Sequence, residues 1–331
     1  MRSFALSCLV VLSVACGQGA PPAGGDHDLP NAVVGPYRPL RKPSEGDSAP
    51  HVLGRTQNVQ WQNPGVLALE GAPGKLPFAL FVEKEKGTGI FRVDYEDPTQ
   101  SKGQVDAVEV LTPTLAWEAG RVAHPFPLRV GATARLYYSA GGCIGLAESA
   151  DLSTWTKRPE PLACDGAAPL SAPGVVLLPD GTTRLFAARG DALVEARSAD
   201  GVSFSTFEAV LAPSAPAGPA DEPDQPFDAA TVGDPHPFYE VGADGRAITY
   251  VYFTGKNRAG AHAIGLAARF GEGSLTRAVA PVFTRFDPRS PTTIGYGAIR
   301  MLYVVGRGSE GNAGTMGSVL AGLTPATASL P

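Results

Sequence analysis

Charge is scarce in this chain: Lys, Arg, Asp and Glu make up 18% of its 331 residues, and 27 basic against 32 acidic side chains leave a net charge of −5. A surface so weakly charged has no electrostatic footprint for a polyanion, which argues against a general nucleic-acid binder. No apolar run approaches the ~20 residues that span a bilayer as a helix, and no long stretch has the 3.6-residue apolar period of an amphipathic helix. A Gly-rich phosphate loop, a nucleophile-elbow serine and a cysteine-based zinc spacing are all missing, so no cofactor is expected. What is plentiful is the chemistry of turns. The 40 Gly and 31 Pro are about a fifth of the chain, and the 44% hydrophobic residues suffice for a core. That balance suits a turn-rich globular protein better than collagen or a disordered tail. Length alone admits roughly two domains, although all-β units of this size are often single.

The N-terminus reads as an address. Met1 and Arg2 precede an apolar run, Phe4 to Ala15, that ends in small residues, the pattern of a secretory signal over 1–15. Leu12-Ser13-Val14-Ala15-Cys16 resembles the lipobox of bacterial lipoproteins, with Ser13 where leucine is usual; the resemblance implies cleavage before Cys16 and its lipidation. Alternatively, Cys16 is a small apolar residue of a signal or of a buried N-terminal helix. Residues 16–50 are rich in Pro and Gly and poor in bulky apolar groups, and so read as a flexible tether. The expected location is the bacterial cell envelope, or outside the cell. In that oxidising setting Cys143 and Cys164, the cysteines left in the mature domain, are read as a disulfide, the alternative being two buried thiols.

From residue 51 to 331 a unit recurs. An x-Pro step is followed 10 to 15 residues later by an apolar, aromatic-rich run, then by a second short run and a polar turn. The prolines are Pro64, Pro125, Pro173, Pro235 and Pro291. The runs after them are Phe78–Val82, Leu136–Ser139, Leu185–Ala188, Tyr250–Phe253 and Met301–Val305, and Ile-Gly-Leu-Ala occurs at both 144–147 and 264–267. Short β-rich runs divided by Gly, Pro and Asp predict strands, and units of about 50 to 60 residues holding four strands are propeller blades. The expected fold is therefore all-β, a five-bladed β-propeller with four-stranded blades. Ser149-Ala150-Asp151 before Trp155, and Ser198-Ala199-Asp200 before Phe204, take the same place in two units: a side-chain-bonded turn leading to an aromatic that packs between blades. The last unit runs short of strands after its third, so a strand from around His51 to Val59, or slightly earlier, is expected to complete it and close the ring, leaving no exposed edge.

Arg135–Ser139, Ile144–Ala147, Ser149–Asp151 and Trp155, with the repeated x-Pro steps, resemble the five-bladed glycoside hydrolases of the arabinanase, xylosidase and invertase group. The resemblance implies a central funnel with three carboxylates: an Asp before the proline of the first and second blades, and a Glu two residues before the proline of the third. This chain has Asn63, His124 and Ser171 at those places. Asn63 cannot take a proton from water and Ser171 cannot give one to a leaving oxygen, so the usual acid and base are replaced.

Three carboxylates remain as relocated catalytic candidates: Asp234, which precedes Pro235, and Asp228 and Glu118, each seven residues before its unit's proline. The favoured alternative is that Asp234 and Asp228 cap turns. His124 and His236 share a His-Pro-Phe context, but their spacing matches no metal motif, and no protein-held metal is expected. Recognition without chemistry asks only for an aromatic platform and groups that bond hydroxyls. Trp61, Gln62, Asn63, His124, Phe126, Ser171, His236 and Tyr296 are the candidates near the expected funnel, Trp61 and Phe126 being equally suited to fill space between blades. The favoured reading is a monomeric glycan-binding protein whose partners are an oligo- or polysaccharide and, through Cys16, a membrane, with no nucleic acid. An active glycoside hydrolase and an envelope interaction scaffold are the alternatives.

Overall fold

The structure, a computed structural model, describes residues 35, 37–39, 51–53, 60–71, 77–96, 107–166, 168–216, 218, 225–241, 245, 247–285, 287–296, 299–307 and 318–325. The expected signal and lipid-bearing Cys16 lie outside them.

Two short strands come first, β1 (Tyr37–Pro39) and β2 (His51–Leu53). The next twenty strands build five antiparallel sheets in chain order. The first sheet is β3 (Trp61–Ala68), β4 (Phe78–Lys84), β5 (Ile90–Tyr95) and β6 (Val108–Leu111). The second is β7 (Ala123–Val130), β8 (Thr133–Ala140), β9 (Cys143–Ser149), β10 (Thr156–Lys157) and β11 (Ala163–Cys164). The third is β12 (Leu170–Leu177), β13 (Thr183–Arg189), β14 (Ala192–Ser198) and β15 (Glu208–Leu211). The fourth is β16 (Thr231–Val241), β17 (Ala247–Lys256), β18 (His262–Phe270) and β19 (Thr276–Arg277). The fifth is β20 (Arg289–Tyr296), β21 (Ile299–Arg307) and β22 (Ser318–Pro325), to which β1 and β2 both pair. The chain therefore completes its last sheet with strands from its beginning. His51–Leu53 falls where such a strand was expected, whereas Tyr37–Pro39 lies inside the stretch read as tether.

Hydrophobic clusters fill the space between each sheet and the next: the first and second around Phe81, Leu136 and Tyr138, the second and third around Phe126, Tyr137 and Leu185, the third and fourth around Phe186 and Phe253. The fourth packs on the fifth through Tyr252 and Leu302, and the fifth on the first through Phe78 and Tyr303. A circuit of sheets packed face to face around a common axis is a β-propeller.

The Ser-Ala-Asp turns behave as their spacing predicts. The backbone N–H groups of Ser153 and Thr154 donate to Asp151 Oδ1, and those of Val202 and Ser203 to Asp200 Oδ1. These bonds hold both carboxyls below the usual range, Asp151 at about 2. The indole of Trp155 then packs edge-on to Phe81 of the first sheet, ring centroids 5.7 Å apart. A disulfide joins Cys143 to Cys164, fastening β11 to the edge of β9.

Candidate functional site

Each of the five recurring prolines lies on the first strand of its sheet, and the residue before it has a left-handed backbone. Asn63, His124, Ala172, Asp234 and Ser290 have φ between 46° and 49°. At the same place the pairing of each first strand with its neighbour shifts register, between Gln62 and Gly65, Ala123 and Phe126, Ser171 and Gly174, Gly233 and His236, Arg289 and Thr292. Proline disfavours the right-handed helical region for the residue before it, and a β-bulge re-aims the strand. A left-handed non-glycine residue costs of order 1–3 kcal/mol, so the surroundings must hold it. Ala172 N–H donates to Ser139 Oγ at 2.8 Å and Ser290 N–H to Thr254 Oγ1 at 2.9 Å, each reaching the preceding sheet.

The five bulges converge on one cavity. Its walls are the five x-Pro pairs together with Phe126 and His236, and its volume is about 30 Å³, room for about one water or one hydroxyl group. A hydrogen-bond chain runs around it through three sheets. Asn63 Nδ2 donates to Glu83, whose second oxygen takes Arg121 at 2.8 Å. With its amide nitrogen facing a carboxylate, Asn63 presents Oδ1 to the Ser290 hydroxyl at 2.7 Å. Ser290 Oγ is also 3.1 Å from Asp234 Oδ2, which accepts from Thr254 Oγ1 at 2.9 Å. Asp234 thus sits among neutral donors, while Glu83 is fully buried and neutralised by Arg121. His124 Nδ1 is buried without a hydrogen-bond partner.

The inner end of this cavity is closed by an aromatic contact. Two residues past each bulge the first strands carry Gly65, Phe126, Gly174, His236 and Thr292. Phe126 and His236 belong to non-adjacent sheets, yet their rings meet at 5.0 Å, the intervening strand having glycine at that position. Burial and the nearby Arg300 cation push the His236 imidazole down to about 3, so it is neutral, and its Nε2 accepts Thr293 N–H at 3.3 Å.

Five of the residues singled out from sequence line the cavity: Asn63, His124, Phe126, Asp234 and His236. The others stand elsewhere. Trp61 is buried in the core between the first and fifth sheets, edge-on to Phe91, and offers no platform at the mouth. Gln62 and Ser171 are half-buried, and the wall beside Ser171 is made by Ala172 and Pro173 instead. Tyr296 ends β20 at the hairpin, the far end of the strand from Ser290.

Glu118 and Asp228 are buried knots rather than cavity residues. Burial opposes ionisation of Glu118, but Lys157, the N–H groups of Leu115 and Thr114, and the Tyr138 hydroxyl outweigh it and hold the carboxyl below the usual range. Asp228 is paired with Arg277 of the outer strand β19. Sequence reasoning overlooked Glu83, Thr254 and Ser290. The pre-proline position of Ser290 was the available signal for one of them. Among the described residues no three of His, Cys, Asp and Glu gather as a metal site would need.

No protein-family model matches this chain, and no curated protein does either. Solved structures do resemble it. A glycosyl hydrolase from Bacteroides ovatus superposes with a TM-score of 0.61 at 15% identity, over 89% of this chain and 95% of its own. The β-1,2-mannobiose phosphorylase of Listeria innocua, in complex with β-1,2-mannobiose, gives 0.58 at 13%, over 87% and 93%. A family-43 endo-arabinanase from Bacillus licheniformis gives 0.54 at 15%, over 81% and 95%. At such identities the likeness establishes the fold alone: an all-β propeller.

Proposed function

We propose that this chain is a five-bladed propeller that binds a glycan and has lost the acid and base of its hydrolase-like scaffold. The five sheets are its blades, and β1 and β2 close the ring. The observation that carries the reading is the set of pre-proline residues itself: Asn63, His124, Ala172, Asp234 and Ser290 bring one carboxylate to the cavity. Glycoside cleavage of the usual kind uses two carboxyl groups across the scissile bond. Glu83, the other carboxylate near at hand, is sealed from solvent and paired with Arg121. Glu118 and Asp228 are occupied in their own ion pairs. What remains at the cavity suits hydroxyl recognition: an acceptor in Asp234, a hydroxyl in Ser290 and an imidazole in His124. A cavity of about 30 Å³ cannot take a sugar ring. It takes one hydroxyl or hydroxymethyl group, with the ring seated above.

The test is calorimetric titration of the chain with neutral plant and microbial oligosaccharides, alongside a reducing-end assay. Saturable binding of one glycan without turnover is expected, weakened about tenfold or more by Asp234→Asn, the loss of a charge-assisted hydrogen bond. Turnover that Asp234→Asn abolishes would instead make the protein a hydrolase with a relocated acid or base. Silence in both assays would leave an interaction scaffold. The N-terminal segment fits an envelope lipoprotein, and incorporation of labelled palmitate, lost in Cys16→Ser, is the expected result if Cys16 carries the anchor.

A further inference from the structure

The axis of the molecule carries a second and larger cavity on the other side of the Phe126 and His236 rings. Its volume is about 300 Å³, at the lower end of the range of small-molecule sites. Its walls are the far halves of the five first strands and are mostly apolar, Val66, Leu128, Val175, Phe238 and Ile294 among them. Phe126 and His236 line both cavities, so they form the floor of this one as they form the inner end of the other. His236 contributes no charge there, its pKa having been pushed down to about 3 by burial.

Among the described residues that line it, one cation, Arg300, faces this apolar space. Arg300, on the second residue of β21 and hence at the hairpin end, lies over the Phe238 ring with its guanidinium carbon 3.8 Å from the centroid. Its Nε is buried and has no hydrogen-bond partner. The nearest carboxylate, Glu240, is 3.5 Å from the other side of the guanidinium and substantially exposed, a weak, solvent-screened pairing. Beside the mouth β16 presents Tyr239 and Val241, which are 38% and 56% exposed although both are large and apolar. An apolar chamber, a cation at its entrance and an exposed apolar lip complement a molecule with an apolar body and one anionic head.

We propose that this far mouth is a binding site for a small soluble carboxylate with an apolar body, the body lying in the chamber against Phe126 and the carboxylate resting on Arg300 at the entrance. The site is independent of the glycan reading, being walled off by the Phe126 and His236 contact.

The experiment is fluorescence titration of the full chain with 8-anilinonaphthalene-1-sulfonate, then displacement by octanoate and by octan-1-ol. Two variants accompany it. Arg300→Gln removes the charge. Gly295→Phe fills the entrance, since a Cβ there meets nothing within 4 Å and the backbone is not left-handed. The dye is expected to saturate at one molecule per chain, and octanoate to displace it at about one tenth or less of the octanol concentration, the margin of a charge-assisted contact. Arg300→Gln should erase the difference between the two competitors. Gly295→Phe should abolish dye binding with the circular-dichroism melt unchanged. Absence of saturable dye binding by the folded chain, dye binding that survives Gly295→Phe, or equal displacement by octanoate and octanol would each overturn the proposal.

Discussion

Gly174 and His236 show how much of the axis is decided by single side chains. A Cβ on Gly174 would lie 2.3 Å from the Pro235 carbonyl oxygen and 2.5 Å from Pro237 Cδ. Both belong to the next first strand and have no rotamer with which to yield. Gly174→Ala is accordingly expected to lower stability by about 1–3 kcal/mol in urea denaturation, the usual cost of overpacking. Gly65 meets Pro125 and Pro127 at the same two distances and should respond alike. His236 stays neutral at pH values where a surface histidine takes up a proton. Its folded-state pKa is depressed to about 3 by burial, against ~6.5 in the unfolded chain. The unfolded state therefore binds the extra proton, the stabilisation is complete above pH ~6.5, and it is lost as pH falls from there toward 3. Within that window the wild type should lose roughly 1 kcal/mol per pH unit relative to His236→Gln, whose amide oxygen can still accept Thr293 N–H. Stability curves that run parallel for the two proteins would show that the imidazole is not held neutral.

At the scale of the strand, the order and kind of the elements were legible because two local signals coincide. A proline fixes the bulge, and an apolar, aromatic-rich run 10 to 15 residues later supplies the strand that pairs with it. Each of the five prolines and each of the five runs after them falls on the element so read. The candidate site was only partly legible, for a physical reason. The hydrolase resemblance puts functional groups before the prolines, and that singled out Asn63, His124 and Asp234; that these positions are bulges is a finding of the structure. Nothing in Phe81-Val82-Glu83-Lys84 announces a carboxylate that will be buried between Asn63 and Arg121, because those partners stand 20 and 38 residues away. Glu118 and Asp228 looked available in sequence for the converse reason: the lysine and arginine that occupy them stand 39 and 49 residues away. One element is held covalently. The short strand β11 makes two residue pairs with β9, and the Cys143–Cys164 bond at one of them keeps it there. Closing a loop of 21 residues restricts the unfolded chain by about 3 kcal/mol. The double variant Cys143→Ser, Cys164→Ser should lose about 2–4 kcal/mol in denaturant melts, and reductant should lower the melting temperature of the wild type alone.

The molecule as a whole depends on its two ends meeting. β22 pairs with β21 on one side, and on the other with β1 at Leu323 to Pro325 and with β2 at Leu320 and Ala321. Without those two strands one side of β22 would be an open edge, a template for pairing with another chain. β1 also brings Tyr37, buried in the core between the fourth and fifth sheets, with its hydroxyl 2.7 Å from that of Tyr252. The length of this closure distinguishes a tether from a structural segment, because 16–50 was read as tether and yet contains β1. A chain starting at residue 35 keeps both strands and should melt where the full chain does. A chain starting at residue 56 loses both strands and the Tyr37 ring. Its unfolding free energy should fall by at least about 3 kcal/mol, the scale of deleting a large buried aromatic, and light scattering should show concentration-dependent association through the exposed edge. Starting at residue 45 keeps β2 alone, and its position between the other two separates the contribution of Tyr37 from that of edge protection. Equal melting for all three would mean that the circuit of sheets is held by the packing between the first and fifth sheets, around Phe78 and Tyr303, and not by the strands that complete the last sheet.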